Sequence, residues 1–134
     1  MKIVNQNLKL STRGEINFVD ISPMVQDIVA KSGIRNGITH VFAPHATGVL
    51  VLTEYEPSLV EDIRNMLEQL VPKHGDYAHP SNAHSHLRSM LFCPDKTLPV
   101  IDGQLALGTW QSLVFIETDV YPRQRTIIVQ VLGE

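Results

Sequence analysis

Two apolar runs limit most strongly how this chain can fold. Val49–Thr53 and Thr126–Leu132 show very little alternation between polar and apolar residues. Such a run is typical of a strand that is buried on both faces, because a half-exposed strand alternates. Only two main helices are predicted elsewhere, and two helices do not cover both faces of several apolar strands. We therefore expect a second sheet, or a neighbouring copy of the chain, to cover the remaining faces.

Alternating patterns and turn residues predict the other strands. These strands are Lys2–Leu10, Glu15–Ile21, Gly37–Ala43, Gln104–Leu107 and Gln111–Thr118. The turn Ser11–Gly14 suggests that the first two strands form a hairpin. Hairpin strands and helices in this order predict an α+β domain rather than an alternating βαβ fold.

Two helices have clear start and stop signals. The first is predicted to begin with Ser22 as its N-cap and Pro23 in its first turn, and to end at Gly33. The second is predicted over Pro57–Val71, where apolar residues form one stripe at helical period and Pro72 stops the helix.

Composition narrows the class of protein. A length of 134 residues predicts a single domain, and 43% apolar with 19% charged residues is an ordinary globular balance. The net charge of −3 argues against a nucleic-acid surface. Cys93 is the only cysteine, so no intrachain disulfide forms, and no apolar run is long enough for a membrane span. We expect a soluble cytoplasmic protein.

A histidine-rich segment is the main candidate for chemistry. His79, His84 and His86 lie within eight residues, and His45 lies in a turn between two predicted strands. Histidine is the commonest metal ligand, so these side chains are candidate ligands, although a polar loop with solvated histidines remains open. If Asn82 caps a helix over residues 83–91, His84 and His86 are about 200° apart and only one faces a site.

Carboxylates and phosphate-binding groups are weaker signals. Glu54 follows a buried strand and Asp62 lies one turn into the next helix. A strand end beside a helix start suits a catalytic carboxylate, but acidic residues there also simply complement the helix dipole. Gly108 and its neighbours would bring backbone N–H groups near a phosphate, with charge from arginines, yet no phosphate-loop spacing is present.

Taken together, the motifs resemble the YjbQ family, also called secondary thiamine-phosphate synthases. The resemblance covers nearly the whole chain. The residues that carry it are Pro44–Gly48, Glu54, Asp62, Tyr77–His79, Asn82–Leu87, Leu98–Val100, Gly103, Leu107–Gln111, Arg125 and Gly133–Glu134. The Gly-Thr-Trp-Gln block with an upstream Ser-His-Leu is the most specific part.

The resemblance implies a two-sheet α+β sandwich that forms a homotrimer. It also implies a divalent metal, zinc or magnesium, held by His45, His79 and His86. The implied reaction joins hydroxymethylpyrimidine pyrophosphate to thiazole phosphate and releases pyrophosphate. The other site residues that it implies are catalytic Glu54, Asp62 and Gln111, and phosphate-binding Arg88, Gly108, Thr109 and Arg125.

Two departures from the family pattern bear on specificity. The turn Leu91–Thr97 is longer than usual and lacks a Gly-x-Ser, and Ala46 stands where the family often has a threonine. Two alternative functions also stay open. One is a metal-dependent hydrolase or lyase on a small anionic metabolite, and the other is a non-catalytic trimeric metabolite-binding protein.

Overall fold

The structure, a computed structural model, describes all 134 residues as eight strands and three helices. The strands are β1 (Lys2–Ser11), β2 (Asn17–Asp20), β3 (Gly37–Phe42), β4 (Gly48–Thr53), β5 (Asp95–Ile101), β6 (Gln104–Leu105), β7 (Ser112–Glu117) and β8 (Gln124–Gly133). The helices are α1 (Ser22–Ser32), α2 (Pro57–Leu70) and α3 (Ala83–Met90). None of the helices combines the length and apolar character that crossing a membrane requires. The α+β class is confirmed, and the predicted strands appear with ends shifted by no more than two residues.

The strands form two antiparallel sheets. The larger sheet has the order β1-β8-β3-β5-β6, and the smaller has the order β2-β7-β4. The predicted hairpin of the first two strands is therefore wrong, because β1 pairs with β8 while β2 pairs with β7. The loop between them carries the chain from one sheet to the other. Its Gly14 has φ +98°, and an added Cβ would meet the Val120 carbonyl oxygen at 3.0 Å, so the crossing fits glycine best.

The smaller sheet is covered on both faces. One face shares a core cluster with the larger sheet and α1, through Leu50, Leu113 and Phe115. The opposite face packs with Leu67 of α2, through a second cluster that includes Val114. The second sheet expected from the apolar runs is thus present. Strand β4 lies between two layers as predicted, and β7 shares this position.

The larger sheet is covered on one face only. In β8, Ile127, Val129 and Val131 are fully buried, whereas Ile128 and Leu132 are half-buried on the other face. Burial of Thr126–Leu132 on both faces is therefore wrong for a single copy. No helix packs on the outer face of this sheet because α1 lies in the core cluster and α2 covers the smaller sheet.

The helix ends follow the sequence signals in part. Ser22 is the first residue of α1 rather than its cap, since its hydroxyl accepts a hydrogen bond from the Leu113 N–H at 2.7 Å. Gly33 ends α1 with φ 74°, as predicted. Glu56 caps α2, because its carboxylate accepts hydrogen bonds from the backbone N–H groups at the start of the helix.

Strand β5 was absent from the prediction because Pro99 lies inside it. The Pro99 carbonyl oxygen accepts from the Ala106 N–H, so its nitrogen points to the same side, where β6 pairs only with the last two residues of β5. The missing N–H of Pro99 therefore leaves no carbonyl group of β3 without a donor. The supposed long turn Leu91–Thr97 contains the start of this strand and a bridge from Cys93 to Leu50.

Candidate functional site

A group of charged and hydroxyl side chains, most of them buried, lies where β7 ends. We call it the carboxylate network, and it comprises Thr12, Thr47, Glu117, Asp119, Arg123 and Arg125. Glu117 is fully buried, and the Arg125 Nε donates to its Oε1 at 2.7 Å. The Thr12 hydroxyl donates to the same oxygen at 2.8 Å. Because every buried charge here has an oppositely charged partner, the network stays stable inside the protein.

Asp119 forms the other half of the network. Its Oδ2 accepts from Arg123 at 2.8 and 3.1 Å and from the Thr47 hydroxyl at 3.2 Å. Its Oδ1 accepts from Asn82 Nδ2 at 3.3 Å and from the Val120 N–H at 2.8 Å. Burial alone would raise the pKa of Asp119, but these donors and the Arg123 charge outweigh it and lower the pKa.

His45 lies beside this network, in the turn before β4. Its ring packs edge-on against Phe115 with centroids 5.9 Å apart, and its Nδ1 is buried without a hydrogen-bond partner. Burial lowers the pKa of His45, the Arg125 charge lowers it further, and Glu117 opposes the shift. The imidazole is therefore neutral near pH 7 and keeps a nitrogen free.

Helix α3 separates the two closely spaced histidines. His84 is buried, and its Nε2 lies 2.9 Å from Glu15 Oε2. His86 lies on another face, where its ring centroid is 5.0 Å from that of His79. The helical interpretation of this segment is thus confirmed. Asn82 is the N-cap residue, as predicted, but its side chain bonds Asp119 and His79 rather than the helix start.

The rings of His79 and His86 are nearly perpendicular with centroids 5.0 Å apart, a spacing that both an edge-to-face ring contact and a shared metal ion allow. For a metal–nitrogen distance of about 2.0–2.1 Å, ring centroids lie about 3.2 Å from the ion and about 5 Å apart at a tetrahedral angle. The Asp119 carboxylate can accept hydrogen bonds but cannot donate them, so the Asn82 Nδ2 faces Asp119. The Asn82 Oδ1 therefore faces His79 Nε2, at 3.1 Å. The Nε2 then carries the proton, and the Nδ1 lone pair of His79 is free.

The third histidine expected as a ligand, His45, is not part of this pair. Its ring contacts Phe115 instead. No three His, Cys, Asp or Glu side chains in one chain lie close enough together to hold a metal ion. The residues of one copy therefore fit a metal only through two histidines, and further ligands would come from water, a substrate or another copy.

The residues implied as catalytic are exposed and are not bonded to the histidines. Glu54 and Asp62 are exposed, at the end of β4 and on α2. Gln111 is exposed as well, and its Oε1 accepts the N–H of Gly108 at 3.1 Å, so this N–H already has a partner. Thr109 is exposed beside it. No hydrogen bond or ion pair connects any of these residues to the three histidines.

The two arginines implied for phosphate binding lie in different places. Arg125 belongs to the carboxylate network. Arg88, on α3, is also buried, but its Nε donates to the Val71 carbonyl at 3.0 Å and its Nη1 lies 3.4 Å from Glu15. This arrangement does not favour one phosphate group that is held by both arginines.

Sequence reasoning missed four polar residues at this site: Glu15, Asn82 as a side-chain link, Glu117 and Asp119. One local signal was available, since Glu117 and Asp119 close an almost entirely apolar strand, and Arg123 and Arg125 follow two residues apart. Glu15 carries no such signal because its partner His84 is far away in the chain.

The fold and the polar centre define a class of small α+β protein with two antiparallel sheets and arginine–carboxylate pairs buried at the end of the smaller sheet. This chain belongs to the YjbQ family: the model for UPF0047 protein YjbQ-like matches residues 6–134. The family assignment made from the motifs is confirmed.

Relatives with similar sequences and structures agree. A UPF0047 protein of Methanothermobacter thermautotrophicus is 44% identical over 137 residues, which cover 100% of this chain and 95% of the relative. One from Archaeoglobus fulgidus is 41% identical and covers 93% and 98%. The crystal structure of a YbjQ-like protein of unknown function from Sulfolobus solfataricus has a TM-score of 0.95 and 35% identity and covers 99% of both chains.

Proposed function

We propose that this protein is an enzyme that acts on a phosphorylated small molecule next to the His79–His86 pair. The observation that carries the proposal is this pair itself, with its centroids 5.0 Å apart. Asn82 links the pair to Asp119 and so to the carboxylate network. The pair therefore has a fixed support behind it, which solvated loop histidines would not need.

A divalent ion bound by the two histidines would neutralise charge on a phosphate or pyrophosphate group. The chain's own residues set up that site. Asn82 fixes which nitrogen of His79 is protonated, and Asp119 fixes the orientation of Asn82. Arg123, which is partly exposed and bonded to Asp119, adds positive charge nearby.

The specific reaction that we propose is thiamine-phosphate synthesis, on the strength of the family resemblance. In this reaction the C–O bond between the pyrimidine methylene group and pyrophosphate breaks. The thiazole nitrogen forms a C–N bond to the same carbon, and the electron pair leaves with pyrophosphate. The reaction needs no base. A site that supplies positive charge and neutral histidines is therefore sufficient for it.

His45 favours a second candidate, hydrolysis of a small phosphorylated metabolite. Its lowered pKa keeps the imidazole neutral near pH 7. The side chain is partly exposed, so Nε2 rather than the buried Nδ1 would accept a proton from water. A neutral imidazole is a suitable general base for water. The two candidates differ in whether pyrophosphate or phosphate is released when no thiazole phosphate is present.

The test measures metal content and turnover together. Elemental analysis of the purified protein should give a divalent metal that His86→Ala removes, while His84→Ala keeps at least half, since His84 is bonded to Glu15 on another face. His74→Ala serves as the matched control because His74 is exposed in a loop. Pyrophosphate release should require both substrates and fall with the metal. A wild-type protein that is free of metal and is unchanged by adding metal would contradict the proposal.

The homotrimer is part of this proposal, and the outer face of the larger sheet supports it. An apolar row crosses four strands there, formed by paired Ile3, Leu132, Ile38 and Pro99. Ile3 is 57% exposed and Ile38 is 43% exposed in a single copy. Sedimentation at micromolar concentration should give the mass of three chains, and a monomer would contradict this. The cytoplasmic location stays a prediction.

A further inference from the structure

A second polar cleft is lined by neither His79 nor His86. It has a volume of about 690 Å³ and lies between the β1–β2 loop, the C-terminal half of α2 and the segment that follows α2. We call it the α2-end cleft and define it by Arg13, Glu15, Arg64, Glu68, Lys73 and Arg88. Its size suits a small molecule, but only one of its ten lining residues is hydrophobic, which sets it apart from an ordinary apolar pocket.

Positive charge exceeds negative charge in this cleft. Arg13, Arg64, Lys73 and Arg88 line the cleft with Glu15 and Glu68, and Arg64 is also paired with Glu61 at 2.6 Å. Four cations therefore stand against three carboxylates, although the whole protein has a net charge of −3. Such a local excess in a protein of opposite net charge concentrates anions at the cleft.

The carboxylate of Glu15 is already fully engaged. It pairs with Lys73 through one oxygen, and with His84 and Arg88 through the other. Burial would raise the pKa of Glu15, but its bonds to Lys73 and His84 outweigh this and lower the pKa. Glu15 therefore positions the cations, and its negative charge is balanced by them, so it repels a bound anion only weakly.

Two guanidinium groups keep donors free for a ligand. Arg88 is 2% exposed, yet only its Nε and Nη1 have protein acceptors, at Val71 and Glu15. Its Nη2 has no protein acceptor, and the residue lines the cleft. The side chain of Arg13 makes no hydrogen bond or ion pair, since only its backbone N–H is engaged. Arginine donors in this state are suited to bidentate contact with phosphate oxygens.

We infer that the α2-end cleft is a binding site for the phosphate or pyrophosphate group of a small molecule, with Arg88 at its floor and Arg13 and Lys73 at its sides. The site is separate from the His79–His86 pair and does not depend on the proposed reaction. Glu68 is the one lining carboxylate without a described partner, so it opposes the anion and limits the affinity.

The test is calorimetric titration of inorganic pyrophosphate into the full-length protein in low-salt buffer with EDTA. EDTA removes any metal, so binding cannot depend on the histidine pair. Arg13→Gln should weaken binding at least about threefold, because it removes one nearby charge from the anion. Glu68→Gln should tighten binding by about twofold or more for the same reason. Lys9→Gln, an exposed charge on β1, is the matched control and should leave affinity unchanged.

The opposite signs of the two variants keep the inference open to refutation. Arg88→Gln should abolish binding, but this variant also removes a buried contact, so Arg13→Gln carries the test if Arg88→Gln does not fold. Absence of pyrophosphate binding to the wild type would overturn the inference. Equal losses for Arg13→Gln and Lys9→Gln would overturn it too, since they would mean that only the overall charge matters.

Discussion

The carboxylate network and the α2-end cleft both combine arginines with carboxylates, but they balance charge differently. In the network, Glu117 and Asp119 are each held by their own arginine, and hydroxyl and backbone donors fill further oxygen positions. In the cleft, Glu15 serves three cationic or polar partners at once, and Arg88 keeps a free donor. A fully matched buried network leaves no charge free for a ligand and is costly to break, whereas an excess of cations beside open space is suited to binding an anion.

The largest effect should come from breaking the network. Glu117→Gln removes the charge that pairs with Arg125, whose side chain is only 10% exposed. An uncompensated buried charge costs about 3–5 kcal/mol, so we expect a loss of that order in the free energy of unfolding. Urea unfolding at pH 7 measures it. A loss below about 1 kcal/mol would mean that water reaches Arg125 and that the network is not closed.

The matching change in the cleft should cost less. Glu15→Gln removes the shared partner of Arg88 and Lys73. Lys73 is about half exposed and can be solvated, and the Arg88–Glu15 contact is long at 3.4 Å, against 2.5 and 2.7 Å between Arg125 and Glu117. We expect a loss of about 1–2 kcal/mol in the free energy of unfolding, in the range for an unsatisfied polar group. If the loss equals that of Glu117→Gln, the two regions do not differ in the way described above.

Acid should weaken both regions in the metal-free protein. The pKa values of Asp119 and Glu15 are lowered, so their stabilisation is present above the unfolded values near 4 and is lost as the pH falls through the lower folded values. The pKa of His45 is also lowered, so below about 6.5 the unfolded chain binds a proton that the folded chain does not. All three slopes therefore have the same sign.

Urea midpoints at pH 7.5, 5.5 and 3.5 in EDTA test this dependence. The midpoint should fall at each step, and His45→Gln should flatten the step from 7.5 to 5.5. Equal midpoints for the wild type at all three values would show that these groups have the same proton affinity in the folded and unfolded chains.

The smallest effect should come from an exposed pair that belongs to neither region. Lys31 and Asp27 are one helical turn apart on α1, with side chains 77% and 60% exposed. Asp27→Asn should change the free energy of unfolding by less than about 0.5 kcal/mol, because water and salt screen such pairs. A larger change would mean that the loss of unfolding free energy in Glu117→Gln comes from removing any charge, and not from the burial of this one.

The elements that the sequence predicted correctly depend on local patterns. The stripe of α2 and the apolar run of β4 repeat over adjacent residues, so their type follows from periodicity alone. The partners of β2 were not predictable in this way, because a loop carries the chain to the other sheet and β2 pairs with the distant β7. Strand β5 was hidden by Pro99, whose position at the β6 side is a property of the assembled sheet.

The candidate site divides along the same line. The divergence of His84 and His86 followed from helical geometry, since both lie on one short element. The carboxylate network did not follow, because Thr12, Thr47 and Glu117 meet only after three strands have paired. The roles of Glu54 and Asp62 stay predictions, because both residues lie on other elements than the histidines and no bond connects them.

The position of β8 has a consequence for how the chain reaches its fold. This strand lies between β1 and β3 in the larger sheet, although it follows every other strand in the chain. Its register pairs Lys2 with Gly133. The first strand in the sequence therefore has no partner until the last strand has been synthesised. Contacts of such high sequence separation slow folding, and until β8 arrives both neighbours present unpaired edges. During synthesis, chaperone binding to these two edges would therefore protect the chain until β8 is made.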